Sequence, residues 1–348
     1  MSAWPAVDSG GWGTPFDAFP VEAPFQVRPD LVKLVPADDW LRVDRDWVPM
    51  LAAKLAVHAG CDSRCGEAGS TPGAAPGGER NVAVATRGDE RTAGGRVAAV
   101  VRAIDKLAAT GAGVRLDIGR EGGLLRFGAA GYRASARDTG VTLQAARDDA
   151  LAAVRALQPE EEQAGDDALR LLGALALSLQ EDLVLMEQGA DGAVRAALLQ
   201  VAFPSAWDPA AKAGQDLLGL HAPVADNAPL QAAAARLGSA LVSKGPFVRW
   251  VWTVTADSRW RAWPPMPLPR DPQELAALPL HFRLERQTTM PLGDGYGLFL
   301  IRVQVRPLDE VLSQPGRLAL LQASLRSMSD AMVRYKNLGS VRGRLLEG

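Results

Sequence analysis

Three histidines carry most of the metal-binding or acid–base chemistry open to this 348-residue chain, and each has a different setting. His221 follows an amphipathic helix pattern and opens the run His-Ala-Pro-Val. Pro223 is expected to hold the residue before it in an extended backbone, which would fix the exit of the imidazole from the helix. That setting suits a capping or core histidine, or a single strong metal donor. His58, Cys61 and Cys65 place three soft ligands within eight residues. No fourth ligand follows them, and the surrounding loop is of low complexity. His281 precedes a strand pattern and reads as structural or solvent-exposed.

Charge concentrates in residues 279–308. Residues 281–289 alternate apolar with charged side chains, Gly293-Asp294-Gly295 breaks the run, and residues 296–305 resume a β-rich pattern. This predicts a hairpin. Arg283, Glu285, Arg286 and Arg302 lie inside it, among Phe282, Leu284, Phe299 and Ile301. Arg283 and Glu285 share one strand face, because side chains repeat every second residue. A carboxylate beside guanidinium groups there either satisfies itself as an ion pair or addresses a ligand. Trp250 and Trp252, two apart on the strand predicted over 247–255, read as aromatic core or as the wall of a small-ligand pocket. No phosphate-binding glycine loop, G-x-S-x-G elbow or H-E-x-x-H pair occurs, so nucleotide transfer, serine hydrolysis and zinc proteolysis have no support.

The elements that must position these residues follow from periodicity. Residues 1–24 read as a flexible arm, with Trp4, Trp12, Phe16 and Phe19 able to dock on the body, and 59–95 as a Gly-rich loop. Apolar stripes predict helices over 47–58, capped by Asp46, and over 96–110, 141–157, 168–179, 208–219 and 230–243. Short strands are expected either side of 121–123 and over 183–187 and 193–203. Two helices near 308–312 and 318–325 close the chain, and 339–348 reads as a tail. A single domain over 25–338 of the α+β class results.

Composition narrows the partners. With 38 Lys+Arg against 40 Asp+Glu, neither nucleic acid nor an anionic membrane is favoured. No apolar run approaches the ~20 residues of a membrane span. The first residues lack the basic start and apolar stretch of a secretory signal, and two cysteines make no disulfide framework. A cytoplasmic protein is expected.

The blocks VPADDWLRVDRDW (35–47), LQEDLVLME (179–187), FPSAWDPAAKAGQDLLGLHAPV (203–224), FVRWVWTV (247–254), FRLERQTTMPL (282–292), FLIRVQVRPL (299–308) and MSDAMVRYKNL (328–338) occur in this order. Together they resemble the haem-dependent oxidative N-demethylase family, which includes the haem subunit of dimethylamine monooxygenase. The resemblance implies a PAS-like antiparallel sheet with flanking helices that form a haem pocket. Haem b would be held by His221 as axial iron ligand, with O2 activated on the other side to oxidise an N-methyl group and release formaldehyde. A separate reductase carrying FMN and [2Fe-2S] would deliver electrons from NADPH. By position, Arg249 would contact a propionate or stabilise negative charge on reduced O2. Glu285 would hold a cationic amine or fix the neighbouring arginine, and Trp252 would pack against an alkylammonium. Arg286 is a further candidate for cofactor binding.

Two departures from the family pattern bear on the substrate more than on the haem. Val251 stands where relatives carry asparagine before the second tryptophan, and Gln304 stands where they carry an aromatic residue. The reading from another class is a PAS-type haem sensor or carrier without turnover. A haem-free structural relative is the third.

Overall fold

The computed structural model describes residues 18–28, 31–34, 46, 50, 53–54, 57, 83–86, 90–109, 116–121, 124–129, 167–177, 179–269 and 271–347. Its strands, in chain order, are β1 (Val32–Lys33), β2 (Ala83–Ala85), β3 (Leu116–Glu121), β4 (Leu124–Ala129), β5 (Asp182–Gln188), β6 (Val194–Gln200), β7 (Phe247–Thr255), β8 (His281–Gly293) and β9 (Tyr296–Pro307). Its helices are α1 (Glu90–Ala109), α2 (Asp167–Ala176), α3 (Leu217–His221), α4 (Ala228–Ser243), α5 (Pro272–Ala277), α6 (Leu308–Leu312), α7 (Arg317–Ser327), α8 (Asp330–Tyr335) and α9 (Gly339–Glu347). Seven strands form one antiparallel sheet in the order β1-β7-β8-β9-β5-β6-β2, and β3 and β4 form a separate hairpin. The class is α+β.

The charged hairpin sits at the centre of that sheet. Asp294 and Gly295 turn it with positive φ angles of 53° and 78°. A two-residue loop with two left-handed residues twists in the sense that the flanking strands require. The register then sorts side chains by face, since directly opposed residues point the same way. Arg249 opposes Gln287, which opposes Ile301; Val251 opposes Glu285, which opposes Val303. These residues share the first face with Val184, Phe299 and Leu199. Trp250 opposes Arg286 and Arg286 opposes Arg302, on the second face.

Each face has its own cover. Helix α4 lies on the first, so close that a Cβ on Gly297 would stand 2.6 Å from the Leu241 carbonyl oxygen. Residues Leu217, Leu220, Leu241 and Val242 close an apolar cluster there with Val184, Met186, Ala196 and Leu199. On the second face α1 and α2 bury Ala99, Val100, Leu172 and Leu175 against Leu183, Leu198 and Leu300. The C-terminal helices bury Leu321, Leu325, Met332 and Leu338 against Trp252, Val254, Phe282 and Leu284. Arg96 ties α1 to the sheet through Glu187, at 3.1 and 2.8 Å, and Tyr296 donates to the same carboxylate at 3.0 Å.

Several expectations from periodicity change in the structure. The helix expected over 208–219 divides into a 3-10 turn at Ala210–Lys212 and the short α3. Between them Gly214 takes a φ of 77°, its N–H donates to the Ala196 carbonyl at 2.8 Å, and Ala196 donates to Gln215 at 3.0 Å. The segment therefore satisfies its backbone on β6 instead of within a helix. Residues 83–85 and the first turn of α1 fall inside the span read as a Gly-rich loop. The span read as a tail holds α9, whose Val341 is buried. Phe19, Val21 and Phe25 pack against the C-terminal cluster, although 18–24 was assigned to a flexible arm. Met50 donates to the Asp46 carbonyl at 2.9 Å, as a helix capped by Asp46 would have it. The helix expected over 141–157 and the His58–Cys61–Cys65 cluster lie outside the described residues. No described helix is long and apolar enough to cross a membrane.

Candidate functional site

A cavity of about 1080 Å³ lies against the first sheet face, under α3 and α4, and continues around the edge of β7. It slightly exceeds the roughly 300–1,000 Å³ usual for small-molecule and cofactor pockets. The edge is open because β1 pairs with β7 only at Phe247 and Val248. Apolar side chains of Val184, Leu199, Leu241 and Phe299 form one wall, and His221, Lys212, Arg249 and Glu285 supply its polar groups.

His221 ends a five-residue helix that is fastened at both ends. At the start, Asp216 accepts from the Gly219 N–H at 2.9 Å. At the end, Asn227 donates its side-chain amide to the His221 carbonyl at 2.9 Å. Ala222, which Pro223 was expected to extend, stays helical at φ −54° and ψ −38°. The imidazole is instead oriented by its own helix, because Nδ1 lies 2.9 Å from the Leu217 carbonyl oxygen. A carbonyl only accepts, so Nδ1 carries the proton and Nε2 keeps its lone pair. Burial lowers the His221 pKa from the ordinary 6.5, the Leu217 bond opposes this, and the positive charges of Arg249 and Lys212 lower it further. The result is a neutral, oriented imidazole with one donor nitrogen to offer. Among the described residues no group of three metal-ligating side chains competes with it.

Glu285 sits on the first sheet face and lines the cavity. It forms no direct ion pair with Arg283. Ser205 stands between them, hydrogen-bonded to one Glu285 oxygen and accepting from Arg283 Nε at 2.7 Å. Gln287 donates to the other Glu285 oxygen at 2.8 Å. Arg283 is occupied elsewhere by the carbonyls of Phe203, Arg259 and Trp260 at 2.8–3.1 Å. Glu285 is thus oriented by neutral donors at the cavity wall.

Of the other expected residues, Arg249 lines the cavity and Arg286 does not. Arg286 is buried on the second face, where its charge acts on Glu181. Strand alternation separates it from its neighbour Glu285. Trp252 lies at the cavity's edge, but its ring turns to the second face and stacks on Phe282 with centroids 5.8 Å apart. The cation over it is the chain's own: Lys336 Nζ is 5.2 Å from the ring centre. Trp250 also borders the cavity and packs against both clusters of the second face. Sequence reasoning gave no role to Lys212, Ser205, Gln287 or Lys336. All four lie within quoted blocks, but Ser205 and Lys336 meet partners 80 and 84 residues away.

Residues 143–346 match the family model described as haem-dependent oxidative N-demethylase, alpha subunit-like. The chain belongs to that family. The match spans α2 to α9, including every residue of the cavity wall just described from the first sheet face. No curated protein matches the chain. The family's description carries haem dependence and oxidative chemistry.

Proposed function

We propose that this member of the family is a haem-dependent monooxygenase that removes an N-methyl group from a secondary amine. The observation that carries the reading is the single neutral histidine, held at Nδ1 by Leu217 and offering Nε2 at the wall of a large apolar cavity. Haem iron takes one such axial donor. A backbone carbonyl on the second ring nitrogen fixes the tautomer and raises the basicity of the ligand. Lys212 and Arg249 flank it as cations suited to the two propionates of haem b. The PAS-like description belongs to the same reading. It is supported by the five-strand core β6-β5-β9-β8-β7, with α3 and α4 inserted between β6 and β7 over one face.

When bound, haem would supply the activation of O2. The balance of the reaction is R–NH–CH3 with O2, two electrons and two protons giving R–NH2, formaldehyde and water. The electrons would come from a separate flavin and iron–sulfur reductase using NADPH. The chain's own share is binding and positioning. Glu285 would attract the substrate ammonium and, in the carbinolamine, take the hydroxyl proton and return one to nitrogen, so that the oxygen forms the C=O of formaldehyde as the C–N bond pair leaves with the amine. Arg249, on the strand paired with that of Glu285, would pair with a propionate or stabilise negative charge on reduced oxygen. Apolar walls from β5, β6 and α4 keep water from the reacting carbon. The near-neutral charge and paucity of cysteine fit a cytoplasmic setting.

Two outcomes follow. Glu285→Gln keeps the shape and the Ser205 contact but removes the charge, so kcat/KM for amine demethylation should fall by roughly 100-fold, as for loss of one preorganised electrostatic contact. Haem affinity should change by less than about twofold. Unchanged turnover would remove Glu285 from the site, and formaldehyde release with a reductase and NADPH separates an oxygenase from a haem sensor. The second outcome concerns pH. A folded-state pKa below 6.5 means that the ligating form of His221 persists below that value and is lost only as pH falls through the lowered pKa. Acid titration of the haem absorption band should therefore show release with a midpoint below 6.5. Release beginning above pH 7 would contradict the buried, neutral ligand.

A further inference from the structure

Several charged side chains of the cavity have no part in the reading so far, and Lys336 is one of them. Lys336 follows α8 and brings its ammonium to the open edge of β7. There Nζ donates to the Trp252 carbonyl at 2.5 Å and lies 5.2 Å from the Trp252 ring centre and 5.4 Å from that of Phe25. The edge is fastened from both sides, since Thr253 donates its hydroxyl to the Lys336 carbonyl at 3.3 Å. No carboxylate stands within ion-pair distance of Nζ among the described residues. The charges that reach it from further away are Glu285, which attracts, and Arg249, which repels. Glu285 is not free to swing over, because Ser205 and Gln287 hold its two oxygens. Burial lowers the Lys336 pKa to about 8, as expected of a cation short of counter-charge, yet leaves it protonated at neutral pH.

His221, Arg249, Glu285 and Lys336 all line this one cavity. The Arg249 charge reaches both His221 and Lys336, and Glu285 is the carboxylate whose charge reaches Lys336. The cavity thus presents one oriented carboxylate and, at the edge of β7, one ammonium without a carboxylate partner. The aromatic faces that would greet a small methylammonium are already occupied by Lys336. A simple dialkylammonium would meet Glu285 but also the repulsion of Lys336 and Arg249.

We propose that Glu285 and Lys336 form a subsite for a zwitterion, so that the substrate is an N-methylated amino acid. Its secondary ammonium faces Glu285 and its carboxylate pairs with Lys336. This rests on the demethylase reading and names the substrate class within it. The carboxylate supplies the counter-charge that Lys336 lacks, and pairing both ends of the molecule holds the N-methyl group in one orientation. The same lysine chemistry would accept a haem propionate, so the test has an arm for each source.

The experiment is calorimetric titration of the haem-loaded protein with N-methylglycine, with N-methylglycinamide, which lacks the carboxylate charge, and with dimethylamine. N-methylglycine should bind at least about tenfold more tightly than either, the worth of one charge-assisted hydrogen bond. Lys336→Met should abolish the difference, and Lys336→Arg should keep part of it. Equal affinities in the unaltered protein, a comparison that needs no variant to fold, would overturn the proposal. So would a preference that survives Lys336→Met. A second arm titrates haem into the apo-protein: a tenfold weaker haem affinity in Lys336→Met with the amino-acid preference intact assigns Lys336 to a propionate and overturns the substrate class. If the chain takes up no haem yet shows the Lys336-dependent preference, the zwitterion subsite stands and the demethylase reading fails.

Discussion

Replacing His221 with alanine should empty the protein of haem while leaving it folded. The imidazole is the oriented nitrogen donor of the cavity, and the helix that carries it does not depend on the ring. Asp216 caps that helix from one end, and Asn227 binds its last carbonyls from the other. Loss of the side chain therefore removes the ligand and leaves the frame. Haem affinity should fall by roughly 100-fold or more, beyond the range seen when only a supporting contact of a metal ligand is lost. The far-ultraviolet dichroism and unfolding midpoint of the apo-protein should stay close to those of the unaltered chain. Added imidazole should restore part of the haem absorption by entering the space left behind. Undiminished iron content in the variant would remove His221 from the iron.

Lys54→Met should produce the largest loss of stability. Lys54 is 1 % exposed, and its ammonium donates to the carbonyls of Ala176, Leu179 and Glu181 at 3.1, 3.0 and 2.5 Å. It also stands 3.4 Å from Asp182, itself 1 % exposed. Burial pushes the Lys54 pKa down and that of Asp182 up, so each depends on the other to stay charged. A methionine of similar length fills the volume but takes a donor from three carbonyls and the counter-charge from a buried carboxylate. Breaking a buried pair in this way costs about 3–5 kcal/mol. Denaturant unfolding measures it directly, and adding Asp182→Asn should recover part of the loss through their coupling. A cost below about 1 kcal/mol would mean that the pair is solvated.

The central hairpin was legible in the sequence because its cause is local. Period-2 alternation and Gly293-Asp294-Gly295 specify strand, turn and strand without reference to the rest of the chain. The helices α1, α2 and α4 declared themselves for the same reason, through apolar stripes on one side. Alternation also carried the information that Arg286 and Glu285 face opposite ways, although adjacency in the chain made them look like one cluster. The break at Gly214 was not legible, since it answers to hydrogen bonds with Ala196 on another strand. The same holds for the contacts that shape the polar wall. Ser205 meets Glu285 across 80 residues and Lys336 meets Trp252 across 84. Both lie in blocks that marked the family, yet only the folded sheet reveals what they touch. His221 stood between: its chemistry was visible, but the Leu217 carbonyl that orients it required the helix to be in place.

The most direct test of the account is the visible absorption spectrum of the protein after reconstitution with haem b, ferric and then reduced under carbon monoxide. A one-to-one complex should give a Soret band that moves on reduction and carbon monoxide binding as a histidine-ligated haem does, and that His221→Ala lacks. No stable Soret band after reconstitution, or one indifferent to His221, would contradict the claim that this cavity holds haem through that residue.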